Sequence, residues 1–219
     1  MSPELSRFDL LGYRRAVAEY NRNWQATDET LYDLCRRFPG HSDQASVKAK
    51  LWIIGRTYAT GIERKIPTQN TQGSSLSQLS EHILSRRRKA EFVFRRLAQI
   101  TEPLTPEKLR RIVDAHGQFV RLLQPLLRHR QSPRSFASKY MHFHCSAVPL
   151  YDTYAVTALR HLYPWQEAFE IFDLPASADE EYTWHAMRFW QLYQDAQKRA
   201  RWVTVKLLDY YLLRVAEDF

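Results

Sequence analysis

Apolar residues recur at three- and four-residue spacing along almost the whole chain, and this period limits the fold more than anything else in the sequence. Val47, Leu51, Ile54, Tyr58 and Ile62 make one such stripe; Leu109, Ile112, Val113, His116, Phe119, Val120, Leu123 and Leu127 make another. Only 6 glycines occur in 219 residues, unclustered, whereas a β-rich chain of this length needs more of them at its turns. The expectation is an all-α protein. Its length suits one domain over 1–219 or two interlocked helical lobes, 1–104 and 105–219.

Local signals place the helices. Thr27 or Asp28 is read as the cap of a short helix that ends at Phe38, before Pro39-Gly40. The stripe from Val47 predicts one helix over 44–64, with Gly55 and Gly61 marking close helix contacts. The polar segment 67–75 has no periodicity and is expected to be a loop that is mobile or touches a ligand. A long basic helix follows over 76–100. Thr105-Pro106-Glu107 then combines a capping residue with Pro at the first helical position. Further helices are expected near 133–145, 153–163, 164–173, 179–201 and 204–217, punctuated by Pro149, Pro164 and Pro175.

Positive charge is concentrated. Between Arg86 and Lys139 there are 14 Lys/Arg against 4 Asp/Glu, while the whole chain is only +8. Arg86-Arg87-Arg88-Lys89, Arg95-Arg96, Lys108, Arg110-Arg111, Arg121, Arg128, Arg130 and Arg134 carry most of it. Such a region neutralises phosphates and releases counterions. Solvated helix faces or a protein partner are the alternative explanation of the same run.

Several classes lack support. No apolar run has the length needed to cross a membrane. The first residues, Met1-Ser2-Pro3-Glu4-Leu5-Ser6-Arg7, lack the apolar core of a signal peptide, so a cytoplasmic, reducing setting is expected. Cys35 and Cys145 alone make neither a disulfide framework nor a zinc site. His142 and His144 point about 200° apart on a helix and cannot share one metal. No phosphate-binding glycine loop, Rossmann glycine pattern, nucleophile elbow or zinc-protease helix is present, and nothing calls for a cofactor.

The most informative stretch runs from Ser132 to Val156. It reads as a basic turn, an apolar helix (Arg134-Ser135-Phe136-Ala137-Ser138-Lys139-Tyr140-Met141-His142-Phe143), and a Pro-containing loop, Val148-Pro149-Leu150-Tyr151, that delivers Asp152 to the start of another helix, Thr153-Tyr154-Ala155-Val156. This stretch resembles the core of the helix-hairpin-helix DNA glycosylase superfamily. Ala137 matches that family's small helix residue, and Asp152 matches the aspartate that its loop places at a helix head. Gln131-Ser132-Pro133 stands where the family carries Gly-x-Gly, and Ser135 where its bifunctional members carry a lysine. Lys139 lies two residues after Ala137, on a different helical face.

The resemblance implies a monofunctional enzyme that removes a modified or damaged base from double-stranded DNA by N-glycosidic hydrolysis, in repair or in defence against viral DNA. Asp152 is then the carboxylate that stabilises the sugar cation and handles water. An Asp just before a helix is equally a cap for exposed N–H groups, and the two roles are compatible. Arg130, Arg134, Ser135 and Lys139 are the expected phosphate contacts. The flipped base needs a stacking pocket, for which Tyr140, Tyr151 and Tyr154 are candidates. Trp52, Arg56 and Glu63, grouped on one face of the 44–64 helix, either line the cleft opposite Asp152 or contain a structural ion pair. The rival expectation is a non-catalytic helical nucleic-acid-binding or interaction module.

Overall fold

A computed structural model describes residues 7–67, 74–129, 131–164 and 173–217. Among these residues the regular structure is entirely helical, with eleven α-helices and one short 3-10 turn. They are α1 (Leu10–Asn23), α2 (Gln25–Arg37), α3 (Gln44–Thr57), α4 (Ile62–Lys65), α5 (Ser75–Ser85) and α6 (Arg87–Leu97). The second half holds α7 (Pro106–Leu123), α8 (Arg134–His144), α9 (Thr153–Leu162), α10 (Glu180–Arg199) and α11 (Val205–Ala216).

Most helices start on a side-chain cap. Asp9, Asp43, Thr105, Asp179 and Thr204 each accept a first-turn backbone N–H, and Pro106 follows Thr105 at the first helical position as expected. Three boundaries differ from the sequence expectation. α2 starts at Gln25, so Asp28 lies inside its first turn, fully buried, and caps nothing. The 44–64 helix is two: α3 ends at Thr57, Ala59 turns with φ 47°, and Gly61 at φ 60° opens α4. Gly61 is therefore a break, in a left-handed conformation that a side chain disfavours. The basic 76–100 helix is also two, separated at Arg86 (φ −115°, ψ 21°). The helix expected over 164–173 falls almost wholly outside the described residues.

α8 is the central element. Every residue from Phe136 to Phe143 is buried, because α2, α3, α6 and α7 all pack on it. α1 packs against α11 and α9 against both α11 and α10, bringing the two ends of the described chain together. Contacts of α1 with α11, α2 and α3 with α8, and α6 with α7 all cross position 104, and one apolar cluster runs from Phe8 to Leu212. Close approach is enforced at Gly117 on α7, where an added Cβ would meet the Ser177 carbonyl oxygen at 1.9 Å. No helix among the described residues is long and apolar enough to cross a membrane.

Candidate active site

Asp152 is delivered by a loop that four side chains hold. A buried loop must satisfy its backbone polar groups. His142 of α8 bonds the Val148 carbonyl through Nδ1 at 2.7 Å, and Tyr182 of α10 donates to the Pro149 carbonyl at 2.9 Å. His185 of α10 bonds the Leu150 carbonyl through Nε2 at 2.7 Å. Ser138 of α8 accepts the Tyr151 N–H at 2.9 Å. Both imidazoles must donate, so the proton sits on Nδ1 of His142 and Nε2 of His185. Burial lowers the pKa of His142 to about 3 and that of His185 to about 4, keeping both neutral. His142 is thus a structural residue of the loop. His144 instead enters a ring cluster with His41 and Phe94, and no group of three or more potential ligands close enough for a metal ion occurs among the described residues.

The loop sets Asp152 at the head of α9, where Oδ1 accepts the Ala155 N–H at 2.8 Å. Oδ2 faces Lys139 Nζ at 3.7 Å, and the Asp152 side chain keeps 20% exposure. Behind this pair lies a second charge cluster. Lys206 of α11 sits 3.1 Å from Asp28 and 3.7 Å from Asp209, and donates to the Tyr58 hydroxyl at 2.8 Å. Tyr58 donates in turn to Asp28, and its backbone carbonyl accepts from Lys139 at 3.3 Å. Burial raises the Asp209 carboxyl to about pKa 7 against the opposing pull of Lys206. Burial and the Asp28 charge push the Tyr58 phenol far above its ordinary range, so it remains a neutral donor.

These groups line a cleft of about 650 Å³ where α2, the turn after α3, the head of α9 and α11 meet α8. That volume suits a small ligand or a nucleobase with its sugar. Aromatic rings edge it: Trp24 is 42% and Tyr154 61% exposed. Asp28, Asp152, Asp209 and Glu217 balance Lys65, Lys139, Lys206 and Arg214 along its wall. With four charges of each sign on its wall, the cleft is not strongly positive.

Asp152, Ser135, Lys139, Tyr151 and Tyr154 are brought together as expected. Ser135 and Lys139 are one helical turn apart and share a face. Lys139 is only 6% exposed, so its charge serves the cleft rather than an open phosphate-binding surface. Arg134 is turned inward as well. Its guanidinium clamps Asp179 and bonds Glu181 at 2.6 Å, tying the head of α8 to that of α10. Tyr140 cannot reach a base: it has no exposed surface, packs on Phe94, Phe119 and Phe136, and bonds His41 at 3.1 Å. Trp52, Arg56 and Glu63 do not line the Asp152 cleft. Arg56 and Glu63 pair at 3.0 Å beside an adjoining hollow at Gly61 that shares Ala59 and Thr60 with the cleft, and Trp52 is 55% exposed elsewhere on α3. Arg130 and residues 68–73 lie outside the described residues.

Asp28, Tyr58, Lys206, Asp209 and Trp24 were missed from sequence. One signal was available for two of them. Lys206 and Asp209 are charges three apart on an otherwise apolar helix, Val205 to Leu213, and such charges need partners. No protein-family model, curated protein or solved structure matches this chain.

Proposed function

We propose that the Asp152 cleft hydrolyses the N-glycosidic bond of a modified or damaged base in DNA, in the manner of a monofunctional helix-hairpin-helix glycosylase. One observation carries this reading: a helix-head carboxylate with one oxygen occupied by the helix and the other facing an open, aromatic-edged cleft of about 650 Å³. The base leaves the stack and enters beside Trp24 and Tyr154. As the bond to it breaks, positive charge grows at the sugar and the Asp152 carboxylate stabilises it. The base departs with the electron pair of that bond; water adds to the carbon and gives its proton to Asp152, which passes it on to the departed base anion through solvent. Lys139 keeps Oδ2 directed across the cleft. Ser135, at the position of the lyase lysine in the resembled family, favours hydrolysis over strand cleavage.

The cap bond to Ala155 also favours a second reading, a binding module in which Asp152 only starts α9. One assay separates them. Duplex oligonucleotides, each with a different modified base, are incubated with wild type or Asp152→Asn, and abasic sites are revealed by hot alkali. The hydrolase yields abasic sites on at least one duplex, with a loss of roughly 10³-fold in the variant. Duplex binding by both proteins with no abasic site from either establishes the module.

A further inference from the structure

Charge around Asp152 is paired, so the excess positive charge of the chain must face solvent elsewhere. A groove of about 460 Å³ between α6 and α7 collects part of it: Arg86, Arg88, Lys89 and Arg121 line it together with Phe92 and Gln118, and no carboxylate is among its described lining residues. We propose that this groove binds a nucleic-acid strand, holding phosphates on the four cations and stacking one unpaired base on Phe92.

Phe92 is the decisive residue. Ala90, Val93, Phe94 and Leu97 of α6 are all buried, yet the Phe92 ring stands 50% exposed among cations. The Arg96 guanidinium, which also pairs with Asp114 at 3.0 Å, lies 5.3 Å from its centroid. A ring so placed stacks any base without regard to sequence, and neighbouring guanidiniums strengthen the contact. Two of the cations are already oriented. Arg86 donates through Nη1 to Ser85 at 3.0 Å and to His82 at 3.2 Å, and His82 in turn bonds the Leu122 carbonyl at 2.7 Å. Burial lowers the His82 pKa, which keeps that ring neutral and able to accept from Arg86. Arg121 is anchored on the Ala176 carbonyl. Oriented guanidiniums lose less freedom on meeting a phosphate. Solvated helix faces explain lysines and arginines, but not an aromatic ring left among them. The inference does not depend on the chemistry at Asp152.

The test is fluorescence anisotropy on the full chain. The probes are a labelled oligothymidylate of about 12 nucleotides and a strand of equal length made of abasic sugar-phosphate. Arg88→Glu/Lys89→Glu is expected to weaken oligothymidylate binding at least tenfold and to lower the salt slope by roughly 1.4. Phe92→Ala should weaken the oligothymidylate at least fivefold and leave the abasic strand unchanged. All substituted positions are exposed, so melting temperatures stay at the wild-type value. An unchanged salt slope, an equal Phe92→Ala loss on both strands, or equal displacement by polyglutamate overturns the proposal. Strand binding is read by anisotropy and hydrolysis by abasic sites, so a failure of this site and a failure of hydrolysis are read in different assays.

Discussion

Asp152 uses its two oxygens differently. Oδ1 caps α9 through Ala155, and Oδ2 neutralises Lys139 across 3.7 Å. Asparagine caps a helix about as well as aspartate but carries no charge, so Asp152→Asn separates the two duties. The lost duty falls on Lys139, buried with the Tyr58 carbonyl as its other partner. Because the Asp152 side is partly open to water, the cost is expected to be about 1–2 kcal/mol, below that of a sealed pair. Lys139→Met added to Asp152→Asn should restore most of it, since neither buried charge then lacks its partner. Urea unfolding of the two single variants and the double checks this. Additive losses would mean that the two side chains do not interact.

At the scale of elements, packing decides what spacing cannot. Gly117 lets the segment ahead of α10 cross α7 with its Ser177 carbonyl where a Cβ would stand. The obstruction is backbone, so Gly117→Ala is expected to destabilise by about 3 kcal/mol and to lower the melting temperature several degrees in a thermal scan. A change under about 0.5 kcal/mol would show that the crossing is looser. The helical stripes were legible because apolar period and capping chemistry are local: Thr105-Pro106 marks α7 in sequence and in structure alike. The breaks at Gly61 and Arg86 were not, since each apolar stripe continues in sequence beyond the point where the backbone turns. Within the site, Asp152, Ser135, Lys139, Tyr151 and Tyr154 sit in one contiguous motif and could be read together. Asp28, Tyr58, Lys206 and Asp209 meet only because α1 and α2 pack near α11, an association that leaves no trace in spacing. Arg134 and Tyr140 misled for the converse reason. A cation and a ring beside a motif look available until Asp179, Glu181 and the core occupy them.

Across the whole molecule, the same burial that fixes the Asp152 loop makes stability fall in mild acid. His41 and His142 are lowered to about pKa 3, His116 and His185 to about 4, and His144 well below its ordinary value, all by burial. A depressed imidazole contributes stability that is present above its unfolded value of about 6.5 and is lost as pH falls toward the folded one. Glu102 and Asp209, raised by burial to about 7, act in the opposite direction: their contribution is full below about pH 4 and is lost as pH rises through 7. Between pH 6.5 and 4.5 these five imidazoles, joined by the less deeply buried His82, therefore oppose two carboxyls. Unfolding takes up protons there on balance, so stability falls as the pH falls. The unfolding free energy from urea titrations is expected to drop steeply from pH 6.5 to 5. Because His142 and His185 stay neutral in the folded chain across this interval and keep holding the Val148 and Leu150 carbonyls, abasic-site formation should fall only in step with the folded fraction. A stability curve that stays flat across it would mean that these rings are not sealed around α8. The loop that presents Asp152 would then lack the rigid support on which the proposed chemistry depends.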